Sequence, residues 1–246
     1  MNSISPNLNI MIKASEKASK ILIRDFGEVE KLQVSLKGPN NFVTNADRKV
    51  EQIIIEELEK SKKNFSILTE ESGFIEKKDK DNFWIIDPID GTTNFLNGVP
   101  HFCISIALLV NKEIVSGVIY DPIKDEIFYA EKDGGAYLNN KSIRVSKKNV
   151  ISECLYGSNF RKNLPENLII RNTGSAALDL AYVSSGRFDG CFQRNVNLWD
   201  IAAGTVLIKE AGGIVDKFEL NKFDKISIKA SNERISRDLN KKINIF

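Results

Sequence analysis

Apolar residues recur at helical spacing along the first sixty residues of the chain. The spacing predicts an amphipathic helix over residues 7–26 that ends near Gly27, and a second helix from about Asp47 to Lys60. The segment Thr44 to Asp47 has the spacing of a capping box, in which a hydroxyl and a carboxylate bind free backbone N–H groups at a helix start. The apolar positions of the two helices are Leu8, Met11, Ile12, Ile21 and Leu22, then Val50, Ile53, Ile54 and Leu58.

The pattern changes between Asn64 and Leu138, where short β-rich runs are separated by turn-forming residues. Links as short as Asn111-Lys112 join neighbouring runs directly, which is typical of hairpins and predicts antiparallel pairing. The predicted strands are Ser66–Leu68, Phe83–Asp87, Phe102–Val110, Ile114–Tyr120 and Glu126–Ala130.

From about Val150 onward, predicted strands alternate with helices. The strands are Cys154–Gly157, Leu168–Arg171, Gly190–Gln193 and Ile226–Ala230, and the two best-marked helices are Ser175 to Ser185 and Asp200 to Ala211. The sequence therefore predicts an α/β or α+β protein with a mainly antiparallel first-half sheet and a smaller mixed second-half sheet. We divide it into residues 1–148 and 149–246, with most of the predicted site in the first half.

Composition narrows the class of protein. Hydrophobic residues make up 42% of the 246 residues and charged residues 28%, a balance typical of a globular chain. The longest apolar run, Cys103 to Val110, is far shorter than the roughly 20 residues that a membrane-spanning helix needs. The first ten residues lack the pattern of a secretory signal, so we expect a cytoplasmic protein without a membrane partner.

Charge and cysteine usage exclude two further classes. The net charge is +2 and the basic residues are dispersed, which argues against nucleic acid as the main ligand. The three cysteines are odd in number and widely spaced, so we expect reduced core residues rather than a disulfide framework. They are Cys103, Cys154 and Cys191.

The most informative segment runs from Phe83 to Phe95. An apolar strand is predicted to end at Asp87, and the following turn, which contains Pro88, brings Asp87 and Asp90 close enough to share one or two cations. The next residues, Gly91 and Thr92, offer backbone N–H groups at a predicted helix start, where an anion can bind. Cation and phosphate sites are thus predicted side by side.

A simple turn is the alternative interpretation, and for an isolated Asp-Gly pair it would be the better one. Similar alternatives hold elsewhere: a solvated acidic turn explains Glu70 and Glu71, and an N-cap explains Asp47 or Asp200. The coincidence of all these acids beside apolar segments favours a shared site.

Several carboxylates acting together select hard cations, chiefly Mg²⁺ or Mn²⁺. The chain has one histidine, His101, and no paired cysteines, so neither a catalytic zinc site nor a Ser-His-Asp triad is expected. We expect His101 to be structural or exposed.

The order of these motifs resembles the inositol monophosphatase family. The resemblance covers nearly the whole chain and is carried by four segments: Lys37 to Asp47, Glu70-Glu71, Trp84 to Phe95, and Leu198 to Gly204. It implies a layered αβαβα fold, a Mg²⁺-dependent and lithium-sensitive phosphatase acting on a small phosphorylated metabolite, and a homodimer.

The resemblance also implies roles for individual residues. The implied metal ligands are Glu70, Asp87, Asp90, Asp200 and the carbonyl of Ile89. The implied catalytic groups are Glu70, Thr92 and Asp47, and Glu71 and Lys37 are implied to lie directly behind them as supporting residues. Gly91 and Thr92 are implied to bind the phosphate. We expect Glu70 and one metal to activate a water whose proton Thr92 relays, while a second metal stabilises the leaving alkoxide.

The substrate side is less sharply defined. The resemblance implies that Ser175, Ala176 and Gln193 contact the substrate, although close helix packing explains the segment Gly174 to Ala177 equally well. Gln193 and Asn197 replace a glutamate and a histidine of inositol-acting relatives, so the substrate can be inositol 1-phosphate or a histidinol, nucleotide or sugar phosphate. A regulatory protein that binds the transcription or ribosome-assembly machinery is the alternative of a different class.

Overall fold

The computed structural model describes residues 4–28, 34–38, 41–220 and 224–243, and for 34–38 and 41–44 it describes the backbone alone. The helices are α1 (Pro6–Phe26), α2 (Asn45–Glu59), α3 (Thr92–Leu96), α4 (Ala176–Ser184), α5 (Leu198–Glu210) and α6 (Glu233–Lys242), with a short 3-10 helix at Ile151–Glu153. The first strands are β1 (Val34–Gly38), β2 (Asn41–Thr44), β3 (Phe65–Thr69), β4 (Gly73–Ile75) and β5 (Asp79–Asp90). The others are β6 (Cys103–Val110), β7 (Glu113–Asp121), β8 (Glu126–Glu131), β9 (Gly135–Leu138), β10 (Lys141–Ser142), β11 (Leu155–Ser158), β12 (Ile169–Arg171), β13 (Gly190–Val196), β14 (Gly213–Val215) and β15 (Ile226–Asn232).

Eight strands form the larger sheet, in the order β10-β9-β8-β7-β6-β5-β3-β4. All neighbours pair antiparallel except β3 and β5, which are parallel. Both faces of this sheet are covered, because alternate residues of β5 are buried in different cores. Trp84 and Ile86 pack with α1 and α2, whereas Phe83 and Ile85 pack with α4 and α5.

Helices α4 and α5 form the middle layer between the two sheets. Their residues share one core with the larger sheet and with β13 and β15 of the smaller one. The smaller sheet has the order β12-β11-β13-β15-β14 and is mixed, with parallel pairs at β11 and antiparallel pairs at β15. Close packing explains Gly204 on α5, because a Cβ there would lie 2.4 Å from the Cβ of Leu180 on α4.

The outer face of the smaller sheet is covered by α6. Ile235 and Leu239 of α6 pack on Tyr156 and Phe192 in a third core. The layers therefore run α1/α2, larger sheet, α4/α5, smaller sheet, α6, and the predicted αβαβα fold class is confirmed. The division at residues 148 and 149 stays a prediction. Among the described residues, no helix is both long enough and apolar enough to cross a bilayer.

Two predicted boundaries beside the acidic residues are wrong. The strand that was predicted to end at Asp87 continues to Asp90, because its backbone still pairs with β6 there. The predicted helix start at Asp200 lies two residues earlier, at Leu198, so Asp200 is the third residue of α5 and Asn197 is its N-cap. The capping role predicted for Thr44 falls on a side chain outside the described residues. All three cysteines are free and buried, as predicted.

Candidate active site

An extra residue in β5 brings two carboxylates together. Asp87 pairs with Ser105 and Asp90 with Cys103, so three steps along β5 match two steps along β6. This bulge suits Pro88, which has no N–H to donate to the ladder. Asp87 Oδ1 accepts a 3.0 Å hydrogen bond from the backbone N of Ile89, which fixes the side chain inside the bulge.

The third carboxylate comes from the middle layer. Asp200 lies in the first turn of α5, where its Oδ2 accepts a 2.6 Å hydrogen bond from the backbone N of Asn197. One oxygen from each of Asp87, Asp90 and Asp200 lies within 4.8 Å of the other two. We call these three residues the aspartate cluster. The bulge of β5 and the first turn of α5 hold its members.

Glu70 and Glu71 lie in the tight turn that joins β3 to β4, at the edge of the aspartate cluster. Both are partly buried, and the exposed side chain of Arg48 lies 3.9 Å from Glu71. Asp47, which is buried in the first turn of α2, contributes its charge to the same region. The sequence-predicted acids Asp47, Glu70, Asp87, Asp90 and Asp200 therefore face one another across four different elements.

The pKa values of these acids are raised because the groups are buried and repel one another. Burial, together with the charges of Asp200, Asp47 and Glu71, raises the pKa of Glu70 to about 8. Burial raises the pKa of Asp90 to about 6, and burial with the charge of Asp90 raises the pKa of Asp200 to about 7. Burial and the charge of Glu70 also raise the pKa of Asp87 well above its ordinary value. A cation would relieve this repulsion.

These shifts predict how the stability of the metal-free protein depends on pH. Because the folded-state pKa values lie above the unfolded ones, the folded state binds more protons, and the associated stability is lost as pH rises from about 4 through 8. In a chelator, we expect a lower unfolding midpoint at pH 8.5 than at pH 6, and Mg²⁺ should raise the midpoint more at pH 8.5. Differential scanning calorimetry checks this; a metal-free midpoint that rises over the same interval would contradict it.

The segment after Asp90 changes direction sharply. Gly91 adopts φ +95°, and a Cβ there would lie 3.0 Å from the carbonyl oxygen of His101. Its conformation and its close neighbours therefore both favour glycine. Thr92 begins α3, as predicted, and its Oγ1 donates a 2.8 Å hydrogen bond to the carbonyl of Ile89. The predicted phosphate residues and the predicted carbonyl ligand are thus in direct contact.

Asp90 also connects the larger sheet to the middle layer. Its Oδ2 accepts hydrogen bonds from the Ser175 hydroxyl and, at 2.7 Å, from the backbone N of Ala177. The Ser175 hydroxyl also accepts from the backbone N of Leu178, as the N-cap of α4. The side chain of Ser175 is therefore committed to Asp90 and to the helix start, while Ala176 beside it is partly buried.

Gln193 is buried on β13 and faces α4 rather than the aspartate cluster. Its Nε2 donates a 2.8 Å hydrogen bond to Asp179, and its Oε1 has no hydrogen-bond partner among the described residues. Asp179 also accepts a 2.7 Å bond from the Thr173 hydroxyl, and burial raises its pKa to about 7.

The remaining sequence-predicted positions add less to the description of the candidate site. The side chain of Lys37 lies outside the described residues. His101 is half-buried with its ring edge-on to Tyr182 at 5.9 Å, in keeping with the structural role expected of it. Sequence analysis missed two buried acids near the site, Glu51 and Asp179. Each is an acid at an apolar-face position of a helix, and that irregularity was the available signal.

The donor set fits a hard divalent cation. The carboxylate oxygens converge within 4.8 Å, they are largely shielded from water, and no histidine of the described residues joins them. Cys103 Sγ lies 3.9 Å from Asp90, but burial raises the pKa of the thiol well above its ordinary value, so it stays protonated and leaves an oxygen-only donor set. Fold and site together define a layered αβαβα protein with an acidic centre where the bulge of β5 meets the starts of α4 and α5.

Comparison with known proteins identifies the family. The sequence matches the inositol monophosphatase family over residues 4–244. It is 45% identical to the inositol-1-monophosphatase of Mesorhizobium japonicum, covering 96% of this chain and 95% of that one. It is 43% identical to the Nus factor SuhB of Pasteurella multocida, covering 87% and 86%. The crystal structure of the extragenic suppressor protein suhB from Bartonella henselae superposes with a TM-score of 0.89 at 43% identity, over 96% and 98% of the two chains. The chain belongs to the inositol monophosphatase family, and its class of activity is that of a phosphatase.

Proposed function

We propose that this protein is a Mg²⁺-dependent phosphomonoesterase that hydrolyses a small phosphorylated metabolite such as inositol 1-phosphate. The observation that carries the proposal is the convergence of Asp87, Asp90 and Asp200 beside the sharp turn at Gly91. Three mutually repelling carboxylates weaken a metal-free fold, so a site of this kind is best explained by a cation that neutralises it.

Glu70, the aspartate cluster and the carbonyl of Ile89 would hold the cation, with Mn²⁺ able to replace Mg²⁺. When bound, the cation would lower the pKa of the attacking water and neutralise charge on the leaving oxygen. Family membership and the oxygen-only donor set support this assignment.

The protein's own groups would orient the reactants. The backbone N–H groups of Gly91 and Thr92 would bind the phosphate, and Glu70 would accept the proton of the attacking water, with Asp47 and Glu71 supporting it through nearby charge. The hydroxyl proton of Thr92 points to Ile89, which leaves the Oγ1 lone pairs to orient that water. The predicted proton relay through Thr92 stays a prediction.

The substrate side would be formed by the start of α4 and by β13. Ser175 and Ala176 lie next to Asp90, and the unpartnered Oε1 of Gln193, which is buried beside α4, would be a neutral acceptor for a substrate hydroxyl that reaches it. A neutral acceptor binds a hydroxyl less strongly than a carboxylate does, by about 1 kcal/mol. We therefore propose a broad preference, with histidinol, nucleotide and sugar phosphates as the alternative substrates.

A regulatory role is the second candidate, favoured by the relatives that are named Nus factor SuhB. It is compatible with an intact acidic site, and co-purification with the transcription machinery would test it. A cytoplasmic location, a homodimer and inhibition by lithium are further proposals that depend on the family alone.

The test of the proposed function is a panel of phosphomonoesters given to the purified protein. We expect turnover of inositol 1-phosphate or of a related small phosphate in Mg²⁺, no turnover after exhaustive chelation, and recovery when Mg²⁺ is returned. Released inorganic phosphate is the readout. Full turnover in the chelator, or none with any member of the panel in Mg²⁺, would contradict the proposal.

A further inference from the structure

A buried glutamate lies behind the turn that carries Glu70 and Glu71. Glu51 belongs to α2, and only 3% of its surface is exposed. Its Oε2 accepts a 2.6 Å hydrogen bond from the Thr69 hydroxyl and a 3.0 Å bond from the backbone N of Glu71. Its Oε1 accepts a bond from the Ser72 hydroxyl. The three donors are the last residue of β3 and two residues of the turn.

Among the backbone segments that carry the acids of the site, the turn held by Glu51 is the least regular. Asp87 and Asp90 lie in β5 and pair with β6 at either end of the bulge, and Asp200 lies in a helix, so strand or helix hydrogen bonds hold their backbones. Glu70 lies between Thr69 and Gly73, which pair as the last register position of β3 and β4. The direction of the Glu70 side chain therefore depends on what fixes this turn from outside.

The chemistry of Glu51 suits that task. A carboxylate presents two acceptor oxygens, so it can bind donors on both sides of the turn at once, and charge-assisted bonds of this kind are about twice as strong as neutral ones. Glutamine would turn an N–H₂ group toward one of the donors. Aspartate is one methylene shorter and would not reach them from the helix.

The contacts extend past the turn to the helix that carries Asp47. Glu51 is one helical turn from Asp47, so α2 supplies one acid to the site and a second acid behind it. A cavity of about 560 Å³, lined partly by Arg48, Glu51 and Glu71, opens on the outer side of this contact. Among the described residues, no further element lines this cavity, and Glu51 is the main inward anchor of the turn.

We infer that Glu51 is a positioning residue: it fixes the turn from Thr69 to Ser72 and so sets the place of the Glu70 carboxylate relative to the aspartate cluster. This inference depends on the proposed function, because it concerns metal binding at Glu70. It predicts that Glu51 influences cation affinity without touching the cation. Displacement of a ligand by about 1 Å is enough to weaken a site markedly.

The experiment measures Mn²⁺ binding to the metal-free protein by isothermal titration calorimetry, without substrate. We expect Glu51→Gln to weaken binding about tenfold and to lower kcat, while KM for the phosphomonoester changes less than threefold. Glu56→Gln is the matched control, since Glu56 is exposed on the same helix and bonds to Gln52; its binding should equal that of the wild type. Circular dichroism at the titration temperature establishes that each variant is folded.

A second background separates positioning from general stability. In Glu70→Gln protein, adding Glu51→Gln should weaken Mn²⁺ binding less than twofold, because the ligand that Glu51 positions is already changed. An equal loss in both backgrounds, or wild-type affinity in Glu51→Gln, would overturn the inference. If Glu51→Gln does not fold, Ser72→Ala removes one of the three donors and decides in its place, with an expected threefold loss. A wild type that neither binds Mn²⁺ nor turns over any phosphomonoester would instead refute the proposed function.

Discussion

Asp90→Asn is expected to lower kcat by about a thousandfold or more, which corresponds to the several kcal/mol that a metal contributes to the transition state. Asparagine keeps a carbonyl oxygen for the Ser175 hydroxyl and the backbone N of Ala177, so the link to α4 can persist. It removes one negative charge from a crowded cluster, so the metal-free protein should be at least as stable as the wild type.

Phosphate release and an unfolding scan in chelator test both halves of this expectation. Asp81→Asn is the matched control, because Asp81 lies on the same strand but is exposed and far along the chain from the bulge. The control should retain wild-type turnover. Near wild-type turnover in Asp90→Asn would remove Asp90 from the set of proposed ligands, whereas a large loss of stability would show that the carboxylate mainly supports α4.

Gln193→Glu is expected to destabilise the protein by about 2 to 3 kcal/mol at pH 8, the cost of leaving a buried charge uncompensated. The wild-type amide donates to Asp179; a carboxylate would face it instead, with both groups buried. The pair would then share one proton, and the pKa for losing that proton is raised above the ordinary carboxyl value. Its stabilising contribution is present at low pH and is lost as pH rises through about 7.

The unfolding midpoint of Gln193→Glu should therefore fall by about 5 to 10 °C at pH 8 and by clearly less at pH 6. Gln193→Met is the control, because it removes the donor without adding a charge; the loss of that bond to Asp179 should give a smaller dependence on pH of the same sign. The double variant Gln193→Glu/Asp179→Asn restores one donor and one acceptor, and it should recover most of the loss. A pH-independent loss, or no recovery in the double variant, would contradict the proton-sharing argument.

Much of the fold could be predicted from the sequence because long elements carry their own pattern. Helix α1 and strand β6 are identified by periodicity and by a nearly continuous apolar run in which Ser105 is the one polar residue. Strands β4, β10 and β14 have only two or three residues each, and none of them was predicted. They exist through pairing with a neighbour, and a local pattern does not contain that neighbour.

In the site too, contiguous motifs could be predicted from the sequence, whereas contacts between distant residues could not. Asp87 and Asp90 were identified from a contiguous motif, but the end of their strand was misplaced because the bulge depends on pairing with β6. The bond between Ser175 and Asp90 joins residues 85 positions apart. Glu51 was missed for a related reason, since the sequence around a single acid on an amphipathic helix does not indicate its hydrogen-bond partners.

Whether Asp87 and Asp90 lie on the same face of β5 depends on the number of residues between them. In a regular strand, side chains three positions apart point to opposite faces, so Asp87 and Asp90 would be separated by the sheet itself. The one extra residue reverses that parity. A single deletion at Pro88 or Ile89 would remove the bulge and leave the two aspartates two positions apart in a regular strand, still on one face. The bulge therefore adds one residue between the aspartates without a change of face, and a deletion would remove the extra backbone in which the proposed carbonyl ligand of Ile89 lies.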